Sequence, residues 1–135
     1  MPDSPSALRV VLVEDSPILS SLIDDMLLEV EDVSLLASLP TESEALKAIA
    51  DLRPDLAIVD LELSAGTGFN VLRSVVGSPD IYGTPHLVVF SNHAQGPVRA
   101  RCAALGAHAF FDKSFQLEEL LAHVKDQTQH RKSPA

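Results

Sequence analysis

Cysteine is nearly missing from this chain of 135 residues: Cys102 stands alone, so neither an internal disulfide nor a cysteine-rich zinc site can form. Aromatic residues are also scarce, at 4%. With 46% hydrophobic residues, the core has to be built from Leu, Val, Ile and Ala, which suits helices packed on a small sheet. Positive charge is short as well. Lys and Arg number 10 against 19 Asp and Glu, and the formal net charge of −9 argues against non-specific nucleic-acid binding. No basic stretch followed by an apolar one opens the chain, and no apolar run approaches the roughly 18 residues of a membrane span. Internal repeats, low-complexity linkers and signs of a second domain are absent too. The expectation is a soluble, cytoplasmic, single-domain protein with no membrane or nucleic-acid partner.

What is present alternates. Residues 8–13 (Leu-Arg-Val-Val-Leu-Val) form a dense aliphatic run, as expected of a strand buried on both faces. Ser16-Pro17 offers an N-cap and a first-turn proline before Ile18, Leu19, Leu22, Ile23, Met26 and Leu27 at helical spacing. Residues 33–38 read as a weaker strand. Thr41-Glu-Ser-Glu44 has the form of a capping box, with Ala45, Leu46, Ile49 and Ala50 as the buried stripe behind it. After Pro54, Leu56-Ala-Ile-Val-Asp60 reads as a third strand, and Gly66 and Gly68 mark a loop before a helix with Phe69, Leu72, Val75 and Val76. The Gly- and Pro-rich residues 77–85 read as a connection, 87–90 as a fourth strand, and Gly96-Pro97 as the start of a fourth helix carrying Val98, Cys102 and Leu105. A short strand at 109–111 and a last helix with Leu117, Leu120, Leu121 and Val124 complete the pattern. Residues 1–7 and 127–135 read as loose tails, leaving a domain of 8–126.

Five strands alternating with five helices imply an α/β fold, a doubly wound parallel sheet with helices on both faces. The flavodoxin-like strand order 2-1-3-4-5 is taken from the common pattern of such sheets, not from these residues. Ligands of such sheets bind beyond the carboxyl ends of the strands, where the winding reverses, here between strands one and three. That end collects Glu14 and Asp15 from strand one, Asp60 from strand three, Ser91 from strand four, and Asp112 and Lys113 from strand five.

Carboxylates held together repel one another, so the cluster must raise its own pKa values or take a cation. Oxygen ligands suit a hard divalent ion, and Mg²⁺ accepts a few carboxylates while keeping several waters. An aspartate carboxylate can itself act as nucleophile and form an acyl phosphate. Lys113 would pair with a phosphoryl oxygen and the Ser91 hydroxyl would hydrogen-bond another. No residue resembles a general base for hydrolysis. The pocket is suited to holding a phosphoryl group.

These residues resemble the response-regulator receiver family, the phosphoacceptor modules of two-component signalling, over residues 8–125. The motifs are Val-Leu-Val-Glu14-Asp15, Leu-Ala-Ile-Val-Asp60, Val-Val-Phe-Ser91 and Phe110-Phe-Asp-Lys113. The resemblance implies that Glu14 and Asp15 bind Mg²⁺ with Asp60, that Asp60 is phosphorylated, and that Glu62 contributes a backbone carbonyl to the metal. It implies Ser91 as the switch hydroxyl, Phe110 as the aromatic switch residue and Lys113 as the phosphoryl-binding lysine. The implied donor is a sensor histidine kinase or a histidine phosphotransfer protein. The implied output is a protein partner on the fourth helix, fifth strand and last helix, with no turnover of an external substrate.

Three positions depart from the family pattern. Ser114 replaces the usual proline after the lysine, where a cis bond would now cost about 2.5–4 kcal/mol. Ser64 replaces a proline after the phosphorylated strand, which leaves that loop freer. Asn92 stands where a small residue is usual and narrows access. Glu62, Asn92 and His93 fall where the family tunes the lifetime of the acyl phosphate. Two alternatives stay open. Asp60-Leu-Glu62-Leu-Ser64 faintly resembles the nucleophile motif of haloacid-dehalogenase-type phosphatases, and a degenerate receiver would only bind proteins. His86, His93, His108, His123 and His130 show no paired ligand spacing and read as surface or edge residues, and Cys102 reads as a small core residue.

Overall fold

The aliphatic runs become five strands in a computed structural model that describes residues 7–132: β1 (Leu8–Val13), β2 (Val33–Leu39), β3 (Leu56–Val59), β4 (His86–Ser91) and β5 (Ala109–Asp112). All pair in parallel, in the order β2-β1-β3-β4-β5. This is the flavodoxin-like order expected from the common pattern of such sheets. The period of two along each strand then divides the core. Val11, Val13, Ala57, Val59, Leu87 and Val89 face one layer, where α2 (Glu42–Leu52), α3 (Gly68–Gly77) and α5 (Gly96–Ala104) supply Ala45, Ile49, Val71, Leu72, Val75 and Cys102. Val10, Leu12, Ile58, Val88 and Phe90 face the other, under Ile23 and Leu27 of α1 (Pro17–Leu28) and Leu120 and Val124 of α6 (Leu117–Lys132). Each fully buried Leu, Ile or Val contributes about 1.5–3 kcal/mol of transfer free energy. The weaker signal of β2 has a reason: it is an edge strand, half-buried along its whole length.

The caps form where the sequence placed them. The Ser16 hydroxyl accepts from the Leu19 N–H at 3.2 Å. Thr41 accepts from the Glu44 N–H at 3.2 Å, while its hydroxyl donates to the Glu44 carboxylate at 3.2 Å. Two expectations are corrected. The connection at 77–85 contains a sixth helical segment, α4 (Pro79–Tyr82), started by Pro79 at its first position. The last helix does not stop at 126 but runs through 127–132, with Thr128 buried and its hydroxyl donating to the Lys125 carbonyl at 2.6 Å. At the other end Ala7, read as part of a tail, is buried. Residues 1–6 and 133–135 of the expected tails lie outside the described residues. No helix among the described residues is long and apolar enough to cross a membrane.

Candidate functional site

Strand register brings the polar ends together. Val13 lies opposite Val59, and Val59 opposite Val89, so Glu14, Asp60 and Phe90 follow at one level. The Asp60 N–H continues the ladder to the Val13 carbonyl at 2.9 Å. Ser91 pairs with Asp112, and the Lys113 N–H reaches the Ser91 carbonyl at 3.1 Å. The result is a cleft of about 210 Å³ lined by Glu14, Asp15, Asp60, Ser91 and Lys113, with Ser16, Glu62, Asn92 and His93 around them. All the site residues read from the sequence line it except Asp112 and Phe110.

Lys113 is the hub. Its Nζ lies 2.8 Å from Glu14 Oε1 and 2.8 Å from Asp60 Oδ2. Burial opposes its charge, but the hydrogen bonds to Asp60 and Glu14 outweigh that and raise its pKa. Burial also raises the pKa values of Asp60 and Glu14 more than Lys113 lowers them. One ammonium therefore leaves the pocket short of positive charge. Glu14, Asp15 and Asp60 each place a carboxylate oxygen within 4.8 Å of the others. A hard oxygen donor set with excess negative charge fits a divalent cation such as Mg²⁺.

The mouth is built from exposed groups. Glu62 pairs with His93 across it, and the Glu62 N–H donates to Asp60 Oδ1 at 3.3 Å. The buried Ser91 hydroxyl accepts from the His93 N–H at 3.1 Å. Asn92 is exposed and accepts from the Ser114 hydroxyl at 3.4 Å. The loop after Lys113 needs no proline. Its peptides are trans, and the Asp112 carboxylate accepts from the Ser114 N–H at 2.8 Å to close the turn.

The β3–α3 loop is not freed by Ser64, contrary to the sequence expectation. The Ser64 N–H donates to the Pro40 carbonyl at 3.1 Å, and the Glu42 N–H to Ala65 at 3.0 Å. Glu42 Oε1 accepts from the Thr67 N–H at 3.0 Å and from the Asn70 amide at 3.2 Å. Gly68 passes so close under the strand that a Cβ would lie 2.1 Å from the Asp60 carbonyl oxygen. Glu42 was missed as a positioning residue because it read only as an intervening position of the Thr41-to-Glu44 capping box.

Phe110 lies half-buried outside the cleft, with the Arg99 guanidinium 4.6 Å over its ring. Arg99 also donates to the Ala94 carbonyl at 2.9 Å and to Gln116 at 3.3 Å. Sequence alone offered no signal for Arg99, since one arginine on an exposed helix is unremarkable until its partner is known.

The model of the response regulator receiver domain matches residues 10–125. A protein-glutamate methylesterase/protein-glutamine glutaminase of Bacillus subtilis is 30% identical over 126 residues, which cover 92% of this chain and 34% of that protein. A second, from Geobacter sulfurreducens, is 32% identical over 127 residues, or 93% and 33%. The chain thus spans about a third of the length of these curated relatives. The signal receiver domain of a putative Luxo repressor protein from Vibrio parahaemolyticus superposes with a TM-score of 0.81 at 25% identity, covering 93% of each chain. The response regulator domain of Thermotoga maritima CheB gives 0.78 at 16% identity, over 96% of this chain and 99% of that one, a likeness of fold. The chain is a member of the response regulator receiver domain family of two-component signalling.

Proposed function

We propose that this receiver domain accepts a phosphoryl group on Asp60 from a cytoplasmic histidine kinase or histidine phosphotransfer protein. One observation carries the reading: Asp60 Oδ2, Glu14 Oε1 and Lys113 Nζ meet within 2.8 Å contacts at the switch point of the sheet, with Asp15 beside them. An Asp60 carboxylate oxygen attacks the phosphorus in line with the donor's P–N bond. The P–O bond forms, the P–N bond breaks, and the electron pair returns to the donor imidazole. Lys113 leaves Asp60 to pair with a phosphoryl oxygen, and the Ser91 hydroxyl donates to another. Glu14, Asp15, Asp60 and the Glu62 carbonyl would hold Mg²⁺, which offsets charge on the transferred group.

Switching follows from the same contacts. When Ser91 turns toward the phosphoryl, it gives up the His93 N–H, and Phe110 moves inward from under Arg99. The surface of α5, β5 and α6 changes with it and meets the output protein. Glu62, Asn92 and His93 set the access of water and so the lifetime of the acyl phosphate. An exposed Glu62 paired with His93 gives no support to a phosphatase acid acting on a leaving group.

Incubation with Mg²⁺ and acetyl phosphate, read by intact mass, tests the assignment. One phosphoryl adduct on the native chain and none on Asp60→Asn is the expected result. An adduct that survives in Asp60→Asn would refute it. A native chain unmodified both by acetyl phosphate and by a panel of histidine phosphotransfer donors would point to the degenerate receiver.

A further inference from the structure

Three histidines that are far apart in sequence meet at the end of the sheet opposite Asp60. His86 opens β4, His108 immediately precedes β5, and His123 lies on α6. The His86 and His108 rings stack with centroids 4.6 Å apart, and His86 and His123 with centroids 5.1 Å apart. Phe111 flanks His123 at 5.4 Å. Each ring is thus fixed by its neighbours. His108 is further held by its Nδ1, which accepts from the Leu87 N–H at 3.0 Å. The Nε2 atoms of His86 and His123 meet at 2.8 Å in a hydrogen bond, one ring donating to the other.

We propose that His86 and His123 chelate a borderline divalent transition-metal ion, of the class of Zn²⁺, through their two Nε2 atoms. To do so the pair gives up its N–H···N hydrogen bond, in which the two nitrogens face each other nearly head-on, and each ring turns by roughly 35° to aim its lone pair at one tetrahedral ion. Two imidazole nitrogens on one tetrahedral Zn²⁺, at about 2.0–2.1 Å each, lie about 3.3 Å apart, so the pair has to open by about 0.5 Å. The His86 main chain is anchored where it stands, its N–H donating to the Asp55 carbonyl at 2.8 Å. Both rings are half-buried, which favours the neutral imidazole that ligates. Burial, then His108, His123 and His130, push His86 down to about 4, so no proton has to be displaced from it at neutral pH. Burial lowers the pKa of His123, against the opposing pull of Asp126 one turn along α6, and the Asp126 carboxylate pairs with His130 at 3.5 Å. Water fills the remaining coordination positions, because among the described residues no third His, Cys, Asp or Glu joins the pair as a ligand group. Nitrogen ligands select this class of ion against Mg²⁺, which prefers oxygen and the acidic cleft. A bound ion would fasten α6 to β4.

The test is calorimetric titration of the native chain with Zn²⁺ at neutral pH, in excess Mg²⁺ to occupy the acidic cleft. One equivalent of Zn²⁺ should bind, and His123→Asn and His86→Asn should each weaken it by at least about tenfold. Imidazole C–H resonances of the native chain, which need no variant, should shift on both rings at one equivalent. No binding, binding abolished by Mg²⁺, or binding unchanged in both variants would overturn the proposal. None of these outcomes depends on whether Asp60 is phosphorylated.

Discussion

Two carboxyl groups and two imidazoles, His86 and His123, carry shifts that burial imposes. Burial raises Asp60 and Glu14 above their ordinary values. A carboxyl raised in the folded state contributes stability that is present at low pH and lost as pH rises through its folded value. His86, lowered to about 4, runs the other way: its contribution is full above its ordinary value of 6.5 and lost as pH falls toward 4. The metal-free chain is therefore strained at neutral pH by its own acidic cleft, a cost that the proposed function would explain. Mg²⁺ should relieve that strain only where the carboxylates are ionised. Thermal melts from about pH 5 to about pH 8 should show a Mg²⁺-induced rise in Tm that grows with pH, worth about 2.7 kcal/mol at a hundredfold excess over the dissociation constant. A Mg²⁺ effect independent of pH would mean that the ion binds elsewhere.

At the scale of elements, α5 is the least anchored helix of the sheet's first layer. Cys102 is its one buried residue, and two arginines hold it from either side. Arg99 lies over Phe110 and Arg101 over Phe69 at 3.9 Å. A cation–π contact of this kind is worth about 1 kcal/mol, or about a fivefold change in population. Arg99→Ala should therefore free Phe110, lower amide exchange protection across α5, and speed labelling of Asp60 by a small phosphodonor by up to about fivefold. Unchanged protection in α5 would show that Arg99 does not restrain it. None of this was legible in the sequence, because a contact between positions 99 and 110 depends on two elements packing. The elements themselves were legible. Runs such as Leu-Arg-Val-Val-Leu-Val and Leu-Ala-Ile-Val admit little but buried strand, and Ser16-Pro17 and Thr41 to Glu44 name their helix starts. Pro79 to Tyr82 was missed because four residues show no period, and the turn beyond 126 because Thr128 is polar yet buried. The acidic cluster was readable because strand ends in a parallel sheet share one edge, whereas the histidine cluster was not, since ring stacking leaves no spacing in one chain.

Across the whole molecule the sheet has two chemically different ends, carboxylates and Lys113 at one and imidazoles at the other, separated by the apolar strands. Under the proposed function a donor protein has to reach the first end, and the net charge of −9 gives it a long-range field that favours a basic approach surface. Close contact requires something else. Ile18, three residues after Asp15, is 85% exposed, and Phe115, two residues after Lys113, is 82% exposed. Large apolar side chains left uncovered beside a reactive cleft are what a partner buries at the centre of its interface. A molecule as small as acetyl phosphate has no use for them. Ile18→Asp and Phe115→Asp should therefore leave labelling by acetyl phosphate within about twofold of native, while slowing transfer from a histidine phosphotransfer donor by at least about tenfold, the cost of losing one interface anchor of about 1.4 kcal/mol. Measuring both donors on the same variants separates docking from chemistry: equal losses with both would place these side chains in the structure of the cleft, and no loss with either would place the donor on another face.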